Sequence, residues 1–324
     1  MFIIFIVAAK LNKISSHKIF YIRQMLDIKY KKVVISEVSG NICGKKNITL
    51  SLLRLDEIHP VISGNKIFKL YYFLQKAIEL NKKIITFGGA YSNHLAATAV
   101  ACKQSGVQCI GIVRGEKPVT LSPVLLYCSL QGMHLEFISR NKYHQKEENI
   151  FHQNLQLKFG DHILIPEGGF SEEGVKGATE IYKHIAGKSY THICCSVGTA
   201  TTLAGLLQAA DPSQQIVGFS ALKNLHYQER LTRLLKTSLK ENYRVIKNYD
   251  FGGYAKKSND LIGFMNTFYE DHHIPLDFVY TGKMMYGVTD LIKQNYFPEK
   301  SRIVCIHTGG LQGNSSLMPG VLKY

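Results

Sequence analysis

The stretch Ile84-Ile85-Thr86-Phe87-Gly88-Gly89-Ala90-Tyr91-Ser92-Asn93-His94 sets the reading of the whole chain. Ile84–Phe87 is a short, β-prone apolar run, the paired glycines make a turn, and an alanine-rich helical segment runs from Ser92 to Gln104. Downstream the same phrase recurs. Cys109–Val113 reads as the next strand, Ser122–Gln131 as helix, His134–Ile138 as strand, Tyr143–Phe159 as a polar helix and Ile163–Pro166 as strand. After Gly168–Gly169 it restarts, with Gly174–Ala186 helical, His192–Ser196 a strand and Thr202–Ala210 a helix. Ile216–Ser220 and Ile303–His307 are further central strands, nearly all apolar as buried parallel strands are. Strands alternating with helices of this length make βαβ units. The expected fold is α/β, two open parallel-sheet domains with a boundary near Glu167–Gly177.

Composition bounds the partners. The 324 residues suit about two domains, and a 45% hydrophobic share supplies their cores. With 39 basic against 24 acidic residues the formal net charge is +15. That surplus suits either an anionic partner or a solvated lysine-rich surface. The lysines are scattered, and no RRM, KH, zinc-finger or basic-zipper pattern occurs, so nucleic-acid binding is not supported. No apolar run approaches the ~18–20 residues that span a bilayer, which excludes a membrane helix. The longest, Phe2–Ala9, stops at Lys10 and has no basic stretch ahead of it, unlike a secretory signal. Residues 1–24 are therefore expected to be an extension, with Met25 the natural start. Seven cysteines, an odd number without CxxC spacing, point to reduced thiols in a cytoplasmic protein and to no metal site.

Four motifs could carry chemistry. In Ser63-Gly64-Asn65-Lys66-Ile67-Phe68-Lys69-Leu70 a turn delivers Lys66 to the start of an amphipathic helix. The helix dipole disfavours a cation there and lowers the amine pKa, as a Schiff-base lysine requires. Ser92-Asn93-His94 puts three polar side chains at a helix N-terminus beyond a strand's carboxyl end, where ligands sit in open sheets. A helix cap needs only one of them. Ser196-Val197-Gly198-Thr199-Ala200-Thr201-Thr202 joins strand to helix as a phosphate cradle, but lacks both the Gly-Lys-Ser/Thr ending and GxGxxG, which argues against ATP and NAD. Finally, Tyr280-Thr281-Gly282-Lys283 and His307-Thr308-Gly309-Gly310 follow expected strand ends, with Tyr254 a further contributor. Taken alone, each has an ordinary reading; Lys66 by itself is one basic residue among 39.

In this order the four motifs resemble the fold-type II pyridoxal-phosphate enzymes (tryptophan synthase beta-like), and within them the 1-aminocyclopropane-1-carboxylate (ACC) deaminase and D-cysteine desulfhydrase family. The likeness runs from about Leu53 to Gln312. It implies pyridoxal 5'-phosphate held covalently by the Lys66 amine. Asn93 would take the ring hydroxyl, and Ser92, Asn93 and His94 would hold substrate. Val197, Gly198, Thr199, Ala200, Thr201 and Thr202 would bind the phosphate, and Lys66, Ser92, Tyr254 and Tyr280 would be catalytic. A small domain of residues 68–172 would be set into a cofactor domain of residues 25–67 and 173–324, in a homodimer acting on a small amino acid.

Two departures point to the subfamily. ACC deaminases typically carry Glu and Leu where this chain has Thr281 and Thr308, which is similar to the desulfhydrase pattern. A carboxylate at the pyridine nitrogen keeps it protonated and makes a deep electron sink, suited to opening a cyclopropane. A neutral hydroxyl leaves a weaker sink, sufficient when thiolate leaves from Cβ. The resemblance thus implies a lyase turning D-cysteine into pyruvate, ammonia and sulfide. ACC deamination to 2-oxobutanoate, or a non-catalytic binding protein of the same fold, are the alternatives.

Overall fold

The computed structural model describes residues 31–39, 47–223, 226–236 and 241–324. The expected extension 1–24, Met25 and Cys43 lie outside the described residues. The strands are β1 (Val34–Val38), β2 (Thr49–Arg54), β3 (Lys83–Gly88), β4 (Cys109–Arg114), β5 (His134–Ile138), β6 (His162–Ile165), β7 (His192–Val197), β8 (Gln215–Ser220), β9 (Tyr243–Ile246) and β10 (Arg302–His307). The helices are α1 (Asn65–Glu79), α2 (Asn93–Gln104), α3 (Pro123–Leu130), α4 (Arg140–His144), α5 (Asn149–Phe159), α6 (Glu172–Tyr182), α7 (Thr201–Ala209), α8 (Tyr227–Leu235), α9 (Asn259–His272) and α10 (Thr281–Lys293).

Two sheets result. One runs β1-β2-β10-β7-β8-β9, the other β5-β4-β3-β6. Every pairing is parallel except β1 with β2. The parallel α/β architecture matches the expectation, and the last strand of the smaller sheet ends at Ile165, just before Glu167–Gly177. β8 and β10 are buried at every position but their first. That burial on both faces is why their sequence is nearly all apolar.

α1 buries Ile67, Leu70, Phe73, Leu74 and Ala77 and turns Lys76 and Glu79 outward, the stripe expected of a helix lying on a core. It stops where Asn81 takes a left-handed conformation at φ 50°. α2 is buried without a break from His94 to Cys102, so its alanines fit a helix enclosed on all sides. Leu53, Leu70, Leu95, Val100, Ile181 and Leu203 belong to one core that reaches from one sheet to the other. A second core lies under the larger sheet against Met265, Phe268 and Met285.

Two expectations are corrected. The single polar helix Tyr143–Phe159 is two helices, because Gln145 closes α4 with bonds to Lys142 and Tyr143 and Glu148 is extended (ψ 142°) ahead of α5. No strand precedes Tyr280. The apolar run Ile274–Val279 contains Pro275, and at Asp277 it turns to cap α10, whose first residue is Thr281. β1, β2, β9, α8, α9 and α10 had no counterpart in the sequence reading.

Among the described residues no helix is long and apolar enough to cross a membrane, and no group of three or more His, Cys, Asp or Glu could hold a metal ion. The described cysteines are free and buried.

Candidate active site

In open α/β sheets ligands collect beyond the carboxyl ends of the strands. Here the residues that follow or close β3, β4, β6, β7, β8 and β10 line one cavity of about 550 Å³. Ser92, Asn93 and His94 come from β3, Arg114 from β4, Glu167 and Gly168 from β6, Gly198–Thr202 from β7, Leu222 from β8 and Thr308 from β10. Lys66 reaches the same space from the first turn of α1.

The backbone at Gly64 fixes that lysine. Gly64 has φ 69°, and a Cβ on it would lie 1.6 Å from the Thr308 carbonyl oxygen. Only glycine fits. Gly64 N–H donates to Leu55 O and Asn65 N–H to Thr308 O, pinning the start of α1 to the turn after β10. The Asn65 side chain then accepts from Lys66 Nζ at 2.7 Å and donates to Thr202 Oγ1 at 2.8 Å.

Desolvation lowers the Lys66 amine to about 8, against a smaller raising effect from Asp277. Lys69, one turn on, falls to about 7 through desolvation and the Lys66 charge, and donates to Gly168 O at 3.3 Å. His94 is held neutral. Desolvation and the two lysines push it to about 3. The Thr86 hydroxyl donates to Ile165 O, so it accepts from His94 Nε2 at 2.8 Å, which leaves His94 Nδ1 as a bare acceptor.

On the same cavity, Ala200 (φ 67°) precedes α7 and no side chain caps that helix, so the first-turn amides have their dipole end open. The hydroxyls of Thr199 and Thr201, 3.0 Å apart, sit beside them with Lys69 on the same wall. This donor set fits a phosphate. Three buried wall atoms, Asn93 Oδ1, His94 Nδ1 and Ser196 Oγ, have no hydrogen-bond partner among the described residues. A bound polar ring would supply such partners. The residues present therefore fit pyridoxal phosphate.

The structure brings Lys66, Ser92, Asn93, His94, Gly198, Thr199, Ala200, Thr201, Thr202, Tyr254, Tyr280 and Thr308 to this wall. Val197 ends β7 beneath it, and Thr281 is also off the wall. The Thr281 hydroxyl donates to Asp277 Oδ2 at 2.7 Å and accepts from Asp277 N–H at 2.8 Å. Ser92 doubles as the cap of α2, its Oγ accepting from Leu95 N–H at 3.2 Å. Tyr254, about half exposed, meets Tyr280 edge to face with centroids 6.3 Å apart. Burial raises the Tyr280 phenol well above its usual range, so it stays protonated. Sequence reasoning missed the rim: Arg114, Lys146, Glu147, His152, Glu167, Arg230 and Arg233. Apart from Glu167, which precedes Gly168–Gly169 after β6, none lies in a glycine motif, and the only other signal was Arg114 closing a strand.

A lysine facing an anion-binding helix end between two parallel sheets defines the class, a fold-type II pyridoxal-phosphate enzyme. The chain belongs to the family described as pyridoxal-phosphate dependent enzyme, which it matches over residues 44–309. A Pyrococcus abyssi protein named putative 1-aminocyclopropane-1-carboxylate deaminase is 30% identical over 274 residues, 78% of this chain and 81% of its own. The mitochondrial bifunctional D-cysteine desulfhydrase/1-aminocyclopropane-1-carboxylate deaminase of Arabidopsis thaliana is 27% identical over 301 residues, 84% and 75% of the two chains. The crystal structure of an ACC deaminase homologue superposes with a TM-score of 0.76 at 25% identity, covering 90% of this chain and 95% of the other.

Proposed function

We propose that the protein is a lyase that eliminates across Cα and Cβ of a small amino acid, converting D-cysteine to pyruvate, ammonia and sulfide. The observation that carries this reading is Lys66, its amine lowered to about 8, in the wall of one cavity with the open amides and hydroxyls of Gly198–Thr202, to which Asn65 links it. Bound pyridoxal phosphate supplies an electron sink for the charge that develops at Cα.

The protein's own groups do the rest. Lys66 would hold the cofactor and would serve as the base for the Cα proton; an amine lowered to about 8 has an appreciable neutral fraction near pH 7. The α7 amides, Thr199, Thr201, Thr202 and Lys69 bind the phosphate. The Asn93 side chain, whose Nδ2 donates to Gly310 O at 2.8 Å, would hold the ring hydroxyl. Ser92, with its hydroxyl proton still free to donate, and neutral His94 orient the substrate carboxylate at the α2 N-terminus. Tyr280 and Tyr254 act as neutral proton donors near the leaving group. At the pyridine end we assign Thr308, whose side chain is on the wall, and give Thr281 an indirect role through Asp277.

The second reading, ACC deamination to 2-oxobutanoate, is favoured by the name of the Pyrococcus abyssi relative, while the name of the Arabidopsis relative carries both activities. Thr281 and Thr308 in place of Glu and Leu favour D-cysteine. Paired kinetics decide between them: sulfide and pyruvate from D-cysteine with slow ACC opening is the expected result, and the reverse overturns it.

We also infer a small domain of residues 68–172 within a larger one of 25–67 and 173–324, supported by the segregation of β3–β6 into their own sheet. A cytoplasmic location is supported by the unpaired buried thiols. A homodimer is supported by Leu126 and Leu130, exposed together on α3. Light scattering tests the last.

A further inference from the structure

Arg114 is the last residue of β4 and stands on the cavity wall with its side chain open to solvent. Its Nη2 lies 3.5 Å from where a Cβ on Gly89 would be, three residues before Ser92, and its guanidinium is 5.9 Å from the Tyr143 ring centroid. Two of the other rim cations are paired with carboxylates, and the third, Arg230, lies against a ring. Lys146 Nζ is 3.5 Å from Glu167 Oε2, Arg233 Nη2 is 3.2 Å from Glu147 Oε2, and Arg230 lies 5.2 Å over the Phe170 ring. Among the described residues Arg114 has no carboxylate within ion-pair distance, although Glu167 shares its stretch of wall. In the assignment above the cofactor phosphate and the substrate α-carboxylate already have their donors, at the N-termini of α7 and α2. Arg114 and Arg230 are the rim guanidiniums without a carboxylate among the described residues, and Arg114 is the one beside Gly89, at the Ser92 end of the cavity.

We propose that Arg114 is a specificity-determining residue that binds an anionic group on the substrate side chain, so that amino acids carrying an oxyanion ester at Cβ, of the O-phosphoserine type, are eliminated alongside D-cysteine. A planar guanidinium matches such an oxyanion with two parallel hydrogen bonds, which a lysine cannot do. The proposal rests on the elimination reading above and deepens it. The step balances without redox chemistry. Lys66 takes the Cα proton, the Cβ–O bond breaks with its electron pair going to phosphate, and the enamine left behind takes up water to give pyruvate and ammonia. Arg114 stabilises the dianion as it departs and holds it before that.

The test has two readouts on the cofactor-loaded protein. In calorimetric titration, D-2-amino-3-phosphonopropanoate, whose C–P bond cannot leave, is compared with D-alanine. The wild type is expected to bind the phosphonate at least tenfold more tightly. Arg114→Gln is expected to erase the difference and Arg114→Lys to restore part of it, charge without fork. In turnover, the ratio of kcat/KM for O-phospho-D-serine to that for β-chloro-D-alanine should fall at least tenfold in Arg114→Gln. Equal wild-type affinity for the two ligands, or a ratio that Arg114→Gln leaves unchanged, overturns the role of Arg114. Pyruvate from β-chloro-D-alanine in that same experiment leaves the elimination reading standing. No pyruvate from the ester, the chloride or D-cysteine overturns the elimination reading instead, while calorimetry still decides what Arg114 binds.

Discussion

The Asn65 side-chain amide donates to Thr202 Oγ1 at 2.8 Å, joining the residue beside Lys66 to the anion-binding turn 137 positions away. Its oxygen meanwhile accepts from Lys66 Nζ. One buried side chain therefore sets the spacing between the amine and the phosphate cradle. Asn65→Leu removes both bonds and leaves Thr202 without its donor, a loss of about 1–3 kcal/mol for an unsatisfied buried group. Urea unfolding should report that loss, and dialysis should strip cofactor faster than from wild type. Unchanged stability and cofactor retention would show that the link is dispensable.

Lys66→Ala should abolish turnover, at least a ~10³-fold loss, since general-base catalysis alone contributes about 10²–10⁴. Lys69 cannot substitute, because it sits one turn further along α1, tied to Gly168 O. The check is absorbance with borohydride reduction alongside the pyruvate assay. A variant that keeps both a reducible chromophore and activity sinks the assignment.

Gly64→Ala should be among the most damaging small substitutions. Its φ of 69° disfavours any L side chain, and the new methyl would sit on the Thr308 carbonyl. Strain of about 1–3 kcal/mol from the backbone alone adds to that clash. Gly263→Ala, with nothing within 4 Å of the new Cβ, serves as control. Comparable melting temperatures for the two variants would refute the account of the Gly64 turn.

The pH dependence of stability follows from His94. Its folded pKa, about 3, lies below the unfolded value of 6.5. Between these limits the unfolded chain binds the proton first, so stability falls as the pH drops from about 6.5 towards 3. A single such group contributes a slope of up to about 1.4 kcal/mol per pH unit. His94→Gln has no ring to protonate. The stability difference between wild type and variant should therefore shrink between pH 7 and pH 5 in urea titrations; a constant difference rules out a buried neutral histidine.

How much of this was legible depended on local patterning. β3, β4 and β7 were readable because each is a short apolar run closed by a glycine turn, and the Ser92–His94, Ser196–Thr202 and His307–Gly310 motifs were readable because they end such runs. The hairpin of β1 and β2 was not, since Val34-Ile35-Ser36-Glu37-Val38 is half-exposed and its antiparallel partner Thr49–Arg54 lies more than ten residues on. Ile274–Val279 misled for a different reason: its apolar residues are buried under α10, while Asp277, which makes the turn, is polar yet 0% exposed. A buried carboxylate that accepts amides from Val279, Tyr280 and Thr281 leaves no periodic trace. The rim charges were invisible because pairs such as Arg233 with Glu147 are 86 residues apart.

The two threonines now separate. In the sequence, Thr281 and Thr308 are equivalent departures from the ACC deaminase pattern. Thr281, however, is buried with its hydroxyl spent on Asp277, so Thr281→Glu would bury a second carboxylate against the first. Like charges that close raise each other's pKa or unfold the site, and leaving either unpaired costs several kcal/mol. The double variant Thr281→Glu with Thr308→Leu is expected to lose stability without gaining a reaction. Thr308→Val is the cleaner change, since it keeps the volume and removes only the hydroxyl at the wall. It should fold within about 1 kcal/mol of wild type, yet lower kcat/KM for D-cysteine at least tenfold. Thr281→Val should do the opposite, costing about 1–3 kcal/mol through the broken Asp277 link with a smaller loss of rate. Urea unfolding together with D-cysteine and ACC kinetics on each single variant measures both halves. Equal rate losses for the two would return them to a shared role at the cofactor, and efficient ACC opening by wild type without sulfide release would reassign the substrate while leaving Lys66 in place.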